Sequence, residues 1–435
     1  MESCCNWGRY PKVEAEVFST DRYDDLASLV KSEQVLIARG NGRCYGDSAL
    51  QKKICSTLSL NKCLEFDVHQ GILHAEAGIM LADILHIIVP NGFFLPVTPG
   101  TKWVTLAGAV ASNIHGKNHH NGGAIGRYID EITVMTDNGD IITCTPSLNS
   151  DLFKSTIGGM GLSGIILHLK LRLKKIETGF MVQEKICLPG LKELLEKFET
   201  NQDSSYSVAW IDAMAKGKSL GRSVLFLGEH ALPEDLPLPY QNDVLRVHEK
   251  TTFRLPFTFP SFFLGKAVAK FFNQAYLLKA KMTRTIQVLH YDQYFYPLDA
   301  IGQWNKFYGH KGFLQYQFVL PLEHGLEGLT QILEKISSSN SGAHLAVLKQ
   351  LGEAEEMCSP LSFPMKGYTL AVDFKVSDAI FKLLDELDQL VLKYGGRLYL
   401  TKDARMSKEM FAATYAVDQI NVTKFKSLQT ERLGL

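Results

Sequence analysis

Short runs of alternating apolar and polar residues fill the first 175 positions and predict β-strands. Two pairs of runs enclose glycine-containing turns and therefore predict hairpins, residues 64–68 with 72–77 and residues 132–135 with 141–144. After Gly164, leucine recurs at every second position between charged residues. That period of two predicts a strand with one face buried.

Beyond about residue 178 the pattern changes, because strand-like runs now alternate with amphipathic helical runs. Ser377 precedes one such helix and Gly395-Gly396 ends it, as expected of capping residues. Strands separated by helices predict an α+β domain with one sheet backed by helices. The strand-like runs are 205–212, 223–230, 313–321 and 344–352, and the helical runs include 190–198 and 327–336.

Charge narrows the classes of partner. The 435 residues include 46 basic and 46 acidic side chains, so the net charge is zero and no nucleic-acid partner is expected. One segment, 241–290, nevertheless contains eight Lys or Arg against two acidic residues, together with seven Phe and one Tyr. Such a mixture favours a peripheral contact with an anionic membrane through 251–284. The alternative, a core segment with solvated lysines, stays open.

Cysteine usage and the N-terminus bear on location. Eight cysteines are scattered without a repeated C-x-x-C spacing, which favours a reducing compartment over a disulfide framework. The first residues lack the apolar core of a signal peptide, and no uninterrupted apolar run reaches the ~20 residues needed to span a bilayer. We therefore expect a cytoplasmic protein, or one peripheral on the inner face of the plasma membrane.

A glycine-rich loop, residues 38–48, follows an apolar strand. Its three glycines let backbone N–H groups approach a diphosphate, and Arg39 and Arg43 could balance its charge. The segment is not a Rossmann fingerprint, because no amphipathic helix opens after the glycines. Taken alone, it is equally consistent with a simple turn.

Two further segments add to this signal. Residues 105–112 are small and suit close packing against a flat ligand, and they lead into His115, Lys117, His119 and His120. A metal site is disfavoured, since Gly116 interrupts the helical spacing and no carboxylate accompanies the histidines. His119 and His120 are better interpreted as structural residues, so no metal is expected. A third glycine cluster lies at 157–164. Three such clusters are harder to explain as simple turns than any one of them is.

Together, the segments RGNGRCYGDS, PVTPGT, IHGKNHH, IGGMGLSGII and LYLTKDAR resemble the FAD-dependent oxidases of the vanillyl-alcohol-oxidase type. Within that superfamily the chain is similar to the decaprenylphosphoryl-β-D-ribose 2-oxidase family, from Trp7 to about Met406. The resemblance implies an α+β fold in which a two-part FAD-binding domain, residues 1–178 and 397–435, carries an inserted α+β cap domain. That substrate domain, residues 179–396, would be built on an antiparallel sheet.

The resemblance also implies roles for individual residues. Lys402 would be the essential lysine beside the flavin ring, with His115, Lys117 and Tyr45 as further catalytic residues. Gln315, Gln317, Ala371 and Lys402 would shape the substrate pocket. The FAD-binding residues would be Ala38, Arg39, Gly40, Asn41, Gly42, Arg43, Cys44, Tyr45, Gly46, Asp47, Ser48, Gly100, Thr105, Leu106, Ala107, Gly108, Ser112, Asn113, Ile114, His115, Ile166 and Tyr399.

Two departures from the family pattern change the expectations. Covalent members of the superfamily often carry His in the glycine loop, where this chain has Gly42-Arg43-Cys44. FAD is therefore expected to bind without a covalent link. Mycobacterial members have a Cys at the position of Ala371, so inhibitors that trap that thiol are expected to fail.

The implied reaction oxidises the 2-hydroxyl of a polyprenyl-phosphoryl-β-D-ribose to a 2-keto intermediate. An NADH-dependent short-chain reductase would then complete an epimerisation to the arabinose donor of cell-wall glycans. Lys402 fits this chemistry because a desolvated lysine has a lowered pKa and can accept a proton. Without the resemblance, a surface lysine paired with Asp403 would be the favoured interpretation. A soluble oxidase of sugars or alditols and a flavin-binding protein without turnover remain as alternatives.

Overall fold

The computed structural model describes residues 1–247, 253–255, 257–258, 265–339, 342–343, 345–415 and 423–435. Within these residues no helix has both the length and the apolar character needed to cross a membrane. All eight cysteines are unpaired.

Three sheets are formed by the first eleven strands. The order of the first sheet is β1-β2-β4-β3, that of the second is β5-β6-β10-β8-β9, and β7 pairs with β11. The strands are β1 Glu2–Cys5, β2 Lys12–Ser19, β3 Ile37–Arg39, β4 Lys53–Ser56, β5 Cys63–Asp67, β6 Ile72–Glu76, β7 Phe93–Phe94, β8 Ile129–Met135, β9 Ile141–Cys144, β10 Ile165–Arg172 and β11 Lys174–Lys175. The helices are α1 Tyr23–Ser32, α2 Leu81–Ile88, α3 Leu106–Ala111, α4 His119–Gly122 and α5 Ser150–Thr156.

The predicted local patterns appear in the second sheet. Strands β5 and β6 form one hairpin and β8 and β9 another, as predicted. In β10 the side chains of Leu167, Leu169 and Leu171 are fully buried, whereas Arg172 is exposed. The period of two therefore fixes which face of β10 packs on the core.

One large antiparallel sheet dominates the rest of the chain, with the order β16-β12-β14-β13-β19-β20-β18-β21. The strands that complete the chain, including the short parallel pair β15–β17, are β12 Phe180–Leu188, β13 Tyr206–Ile211, β14 Ser223–His230, β15 Phe253–Arg254, β16 Ile286–His290, β17 Ile301–Gly302, β18 Phe313–Leu320, β19 Ala346–Leu351, β20 Gly367–Lys375 and β21 Arg397–Leu398. The helices are α6 Leu191–Thr200, α7 Lys266–Met282, α8 Tyr291–Phe295, α9 Gly325–Ser338, α10 Asp378–Lys393, α11 Lys408–Thr414 and α12 Leu428–Leu433.

Helices α6, α9 and α10 cover one face of the large sheet. Their buried residues, such as Phe198, Ile332 and Leu387, join one hydrophobic cluster with strand residues such as Leu348 and Phe318. Ser377 caps α10 by accepting a hydrogen bond from the backbone of Ile380, as the sequence predicts. An antiparallel sheet backed by helices confirms the predicted α+β class.

The C-terminal segment returns to the first sheet. A parallel bridge joins Leu36 to Phe425, whereas β21 is still an edge strand of the large sheet. Thr401, just after β21, already accepts a hydrogen bond from the backbone of Tyr45, so the return to the N-terminal part begins directly after β21. The proposed domain limits at 178 and 396 stay predictions.

Candidate active site

A cleft with a volume of about 330 Å³ lies between the N-terminal sheets and the face of the large sheet opposite α6, α9 and α10. It brings together most of the residues predicted from the sequence. Those that line it are Ala38, Arg39, Gly40, Asn41, Gly42, Arg43, Cys44, Tyr45, Ser48, Gly100, Thr105, Ala107, Gly108, Ser112, Ile114, His115, Ile166, Gln315, Gln317, Ala371, Tyr399 and Lys402.

Four residues predicted to bind the cofactor lie behind the lining. Leu106 is part of the hydrophobic core, and Asn113 donates hydrogen bonds to Ser362 and Glu355. Asp47 forms an ion pair with Arg432, and a side chain at Gly46 would clash with the backbone of Asp403. Their positions support the cleft from outside, so direct contact with a cofactor remains only a prediction for them.

The glycine-rich loop leaves β3 and turns at Gly42, whose φ is +59°. A Cβ atom at Gly40 would collide with Thr105 Oγ1, so the loop can approach α3 this closely only with glycine at position 40. Thr105 caps that helix by accepting a hydrogen bond from the backbone N–H of Gly108. The loop and the N-terminal turn of α3 therefore form one continuous wall.

The two arginines of the loop have different surroundings. Arg39 donates hydrogen bonds to Asn6 Oδ1 at 3.2 Å and to the Cys5 carbonyl at 3.0 Å. Arg43 stacks 4.1 Å from the ring centroid of Trp7, and burial lowers its pKa. The Arg39 guanidinium is thus already engaged by protein acceptors.

Three neighbouring strands of the large sheet form the opposite wall. Gln315 and Gln317 of β18 stand opposite Asp373 and Ala371 of β20, while Lys349 of β19 stands opposite Thr369. The glutamines, Ala371 and Lys349 face the cleft because alternate residues of a strand share a face. The pairing of β18, β19 and β20 therefore places these polar side chains together.

His115 occupies the junction between the two walls. Its Nδ1 atom is 3.2 Å from Lys349 Nζ, and its Nε2 atom is 3.0 Å from Gln317 Nε2. Burial, together with the charge of Lys349, holds the pKa of His115 well below its usual range. The imidazole is therefore neutral near pH 7 and can position neighbouring groups without carrying charge.

Lys402 follows a tight turn in which its backbone N–H donates to the Tyr399 carbonyl. Its Nζ atom lies 4.0 Å from the centroid of the Tyr45 ring. Burial lowers the pKa of Lys402 to about 8, and the charge of Asp373 opposes that shift. An amine with this pKa can exchange a proton near neutral pH.

Asp373 is the buried carboxyl group behind this lysine. It accepts hydrogen bonds from Gln315 Nε2 at 2.7 Å and from Tyr308 Oη at 3.2 Å. Burial raises its pKa to about 7, although Gln315 and Lys402 act in the other direction. Asp373 thus connects the charge of Lys402 to a residue of the cleft wall.

The predicted catalytic residue Lys117 does not line the cleft. Its amine donates to the Tyr294 carbonyl and lies 4.0 Å from the Tyr294 ring centroid. Burial lowers the pKa of Lys117 to about 7. In this position it packs against an aromatic residue, so its catalytic role stays a prediction without support from the geometry.

The neighbouring histidines have structural partners. His119 Nδ1 accepts the backbone N–H of Gly352 at 3.1 Å, and His120 Nε2 lies 2.8 Å from the Ser204 carbonyl. The described part of the chain contains no group of three or more His, Cys, Asp or Glu arranged to hold a metal ion.

Sequence reasoning did not single out Lys349 or Asp373. In the run 344–352 the odd positions Leu345, Val347 and Leu351 are apolar, and Lys349 interrupts them. That interruption was the signal by which Lys349 could have been recognised from the sequence. Asp373 similarly interrupts the apolar run of β20. A charged residue within a buried strand requires a partner or a function.

Comparison with known proteins tests these interpretations. A family described as "FAD binding domain" matches residues 16–145. Decaprenylphosphoryl-β-D-ribose oxidase of Mycolicibacterium smegmatis is 34% identical over 419 residues, which cover 94% of this chain and 90% of the relative. The chain belongs to the decaprenylphosphoryl-β-D-ribose oxidase family. It is an FAD-dependent oxidoreductase that acts on a CH–OH group, and the predicted superfamily and cofactor are confirmed.

More distant relatives share less of the chain. A Streptomyces coelicolor protein named "Uncharacterized protein in mprA 5'region" is 27% identical over 82% of this chain and all of its own length. L-gulonolactone oxidase of Bos taurus is 24% identical over 46% of both chains. Similarity to the decaprenylphosphoryl-β-D-ribose oxidase family therefore extends beyond the cofactor-binding part, into the large sheet.

The residues of the cleft fit FAD. A Cβ atom at Gly100 would meet no protein atom within 4 Å, so the backbone there is open to close approach by a ligand. Ala107, Gly108 and Ser112 present only small side chains from α3 and its end. Residues 38–45 and this helix would hold the cofactor, and Tyr399 and Lys402 would flank it from the turn that follows β21.

Proposed function

We propose that this protein oxidises the 2-hydroxyl of a polyprenyl-phosphoryl-β-D-ribose to the 2-keto compound. The observation that carries the proposal is the buried amine of Lys402 against the Tyr45 ring, close enough to Asp373 to feel its charge, next to a wall that presents Gln315. Similarity over nearly the whole chain to an oxidase named for such a substrate supports it. Oxidation moves a hydride from C2 and a proton from the hydroxyl oxygen, so two acceptors are needed.

Bound FAD would supply the two-electron acceptor for the hydride. Lys402 would receive the hydroxyl proton, because its pKa of about 8 leaves a neutral fraction near pH 7. Gln315 would donate to a sugar oxygen while Asp373 fixes its amide. Walls from both sides would exclude water from the reacting carbon.

Replacing Lys402 by Ala tests this assignment. The variant should retain FAD and its yellow colour, because the glycine-rich loop and α3 are untouched. Anaerobic addition of a short-chain prenyl-phosphoryl ribose should then bleach the flavin spectrum at least about 100-fold more slowly than in the wild type. Lys382, an exposed lysine of α10, replaced by Ala is the matched control. Undiminished bleaching by Lys402→Ala would remove this residue from the mechanism.

The alternative substrate class is a free sugar or alditol oxidised with oxygen. Similarity to L-gulonolactone oxidase covers less than half of this chain, so the comparison does not favour it. Peroxide formation with free pentoses, at rates matching those with the lipid-linked sugar, would reverse this preference.

We further propose an NADH-dependent short-chain reductase as the partner enzyme. A 2-keto sugar has lost its stereocentre at C2, and only a second hydride donor can restore it with inverted configuration. A coupled assay with this protein and such a reductase should consume NADH only when the lipid-linked substrate is present. NADH consumption without this protein would contradict the sequence of steps.

We also propose a peripheral membrane contact through helix α7. Residues 251, 252, 256 and 259–264 of the predicted contact segment lie outside the described residues. In α7, Phe271 is 75% exposed and Met282 is 77% exposed, while Val268, Phe272 and Leu278 are also exposed. Such an apolar surface on one helix is typical of an interface with a partner or a bilayer.

Charge favours a bilayer as the occupant. Lys270, Lys279, Lys281 and Arg284 are exposed beside these apolar residues, and no acidic residue occurs between 266 and 286. Cationic residues next to a bilayer gain from its anionic lipids, which are concentrated in the cytoplasmic leaflet of the plasma membrane. We therefore propose the inner face of that membrane as the location.

The contact is also close to the cleft. Trp210 of β13 packs against Tyr276 of α7, with ring centroids 4.7 Å apart, and stands opposite Val347 of the cleft wall. Leu345 lines the cleft and packs on the same cluster. A prenyl chain leaving the cleft past Leu345 would therefore reach the exposed face of α7.

Flotation with liposomes that contain anionic lipid tests the contact. The double variant Phe271→Ser/Phe272→Ser should remain in the soluble fraction, whereas the wild type floats. Leu238 is exposed outside α7, and its replacement by Ser should leave flotation unchanged. Equal flotation of the double variant and the wild type would remove α7 from the contact.

A further inference from the structure

Lys349 presents a second amine to the cleft, separate from Lys402. Strand β19 turns Val347 and Lys349 toward the cleft, while Ala346 and Leu348 pack on the helices of the opposite face. The Nζ atom of Lys349 is 3.2 Å from His115 Nδ1. The position of the amine is thus fixed by a sheet strand and by a neutral ring.

No carboxylate among the described residues forms an ion pair with Lys349. Two effects lower the pKa of Lys349 to about 7. The larger is burial, and the other is the positive charge of the nearby Lys402. This half-buried amine therefore has no counter-charge from a carboxylate of the described residues. An anionic ligand in the cleft would supply one, and would hold the amine in its charged form.

We propose, on the basis of the function proposed above, that Lys349 binds the phosphate of the lipid-linked sugar. In that substrate the phosphate is attached at C1 and the reacting hydroxyl at C2, on adjacent carbons. With Lys402 at the hydroxyl, a cation that binds the phosphate is therefore expected in the same part of the cleft as Lys402. Lys349 meets that condition, because both lysines line the cleft and the charges of both act on the same buried ring of His115.

The other cations of the cleft are less suitable. Arg39 already donates to Asn6 and to the Cys5 carbonyl, and Arg43 stacks on Trp7. Both belong to the glycine-rich loop, on the wall opposite Lys349. The structure thus separates a basic group at the cofactor loop from a basic group at the substrate wall.

Binding of sugar-free probes to the FAD-loaded enzyme tests this inference. Geranyl phosphate and geraniol differ only in the anion, and calorimetric titration gives the affinity for each. Lys349→Met should lower the affinity for geranyl phosphate by about 10-fold to 100-fold, the usual effect of losing a charged hydrogen bond. The exposed Lys382 replaced by Met should bind geranyl phosphate like the wild type.

Equal affinity of Lys349→Met and the wild type for geranyl phosphate would overturn the assignment. If Lys349→Met loses FAD, the test uses the wild type and Lys349→Arg instead. The wild type must bind geranyl phosphate at least about 10-fold more tightly than geraniol, and Lys349→Arg must keep that preference. Equal affinity for the two probes would again overturn it. Because neither probe contains a sugar, the result is independent of flavin bleaching by ribose, which tests the proposed reaction separately.

Discussion

Arg432 Nη2 lies 2.8 Å from Asp47 Oδ1, although 385 positions separate these residues along the chain. The same guanidinium contacts Asp403 Oδ2 at 2.8 Å. Helix α12 therefore ties the glycine-rich loop to the residue that follows Lys402. The sequence predicted Asp47 as a cofactor-binding residue, whereas the structure places it behind the loop.

Replacing Arg432 by Met should destabilise the FAD-loaded enzyme. Asp47 and Asp403 would remain buried without their counter-charge, which costs about 3 to 5 kcal/mol in the free energy of unfolding. The loop would also lose its attachment, so FAD should dissociate more readily. Denaturant unfolding, followed by flavin and by tryptophan fluorescence, measures both effects.

Arg172 provides the control for this prediction, because its ion pair with Asp130 is exposed. Arg172→Met should lower the free energy of unfolding by less than about 1 kcal/mol. If both variants unfolded at the same denaturant concentration, the buried ion pairs of Arg432 would contribute no more to the free energy of unfolding than an exposed ion pair does.

Asp373 should set the pH at which Lys402 works. Reduction of the flavin by substrate is expected to become faster as pH rises through about 8, because the neutral amine accepts the hydroxyl proton. The Asp373 carboxylate raises the pKa of Lys402, so Asp373→Asn should move this midpoint to lower pH. Stopped-flow bleaching between pH 6 and about 9.5 records the profile.

Tyr308→Phe is the matched variant. It removes one hydrogen bond to Asp373 without removing the charge, so the midpoint should stay close to that of the wild type. A profile of Asp373→Asn that superimposes on the wild type would show that this carboxyl group does not influence Lys402.

FAD should be released when the protein is denatured with acid. Arg43 stands where covalent members of the superfamily have their histidine, and it stacks on Trp7. An arginine cannot act as the nucleophile that attaches a flavin, since it stays protonated. After acid precipitation the yellow colour should therefore appear in the supernatant, and a yellow pellet would reveal a covalent link.

Ala371 should determine resistance to thiol-trapping inhibitors. It faces the cleft between Gln317 and Val347, its partners on the adjacent strands. Wild-type protein incubated with such an inhibitor should show no adduct by mass spectrometry, whereas Ala371→Cys should gain one. Cys44 is the other thiol of the cleft, and Cys44→Ser shows whether any background labelling arises there. Equal labelling of the wild type and Ala371→Cys would contradict this account.

The sequence alone predicted the local structure because its signals are local. Alternating leucines specified β10, glycine turns specified two hairpins, and Ser377 specified the start of α10. The same holds for the glycine-rich loop, since only glycine permits its close contact with Thr105. The motifs around these residues also identified the superfamily and its cofactor.

Strand pairing and long-range packing decided the rest. The pairing of β18, β19 and β20 brought Lys349 to the cleft and Asp373 to its buried position beside Gln315, although neither belongs to a recognisable motif. Packing turned Lys117 toward Tyr294, even though it stands only two residues from His115. Which face of a strand meets a ligand, and which charge lacks a partner, depend on residues far apart in the chain. Only the tertiary structure could determine these relationships.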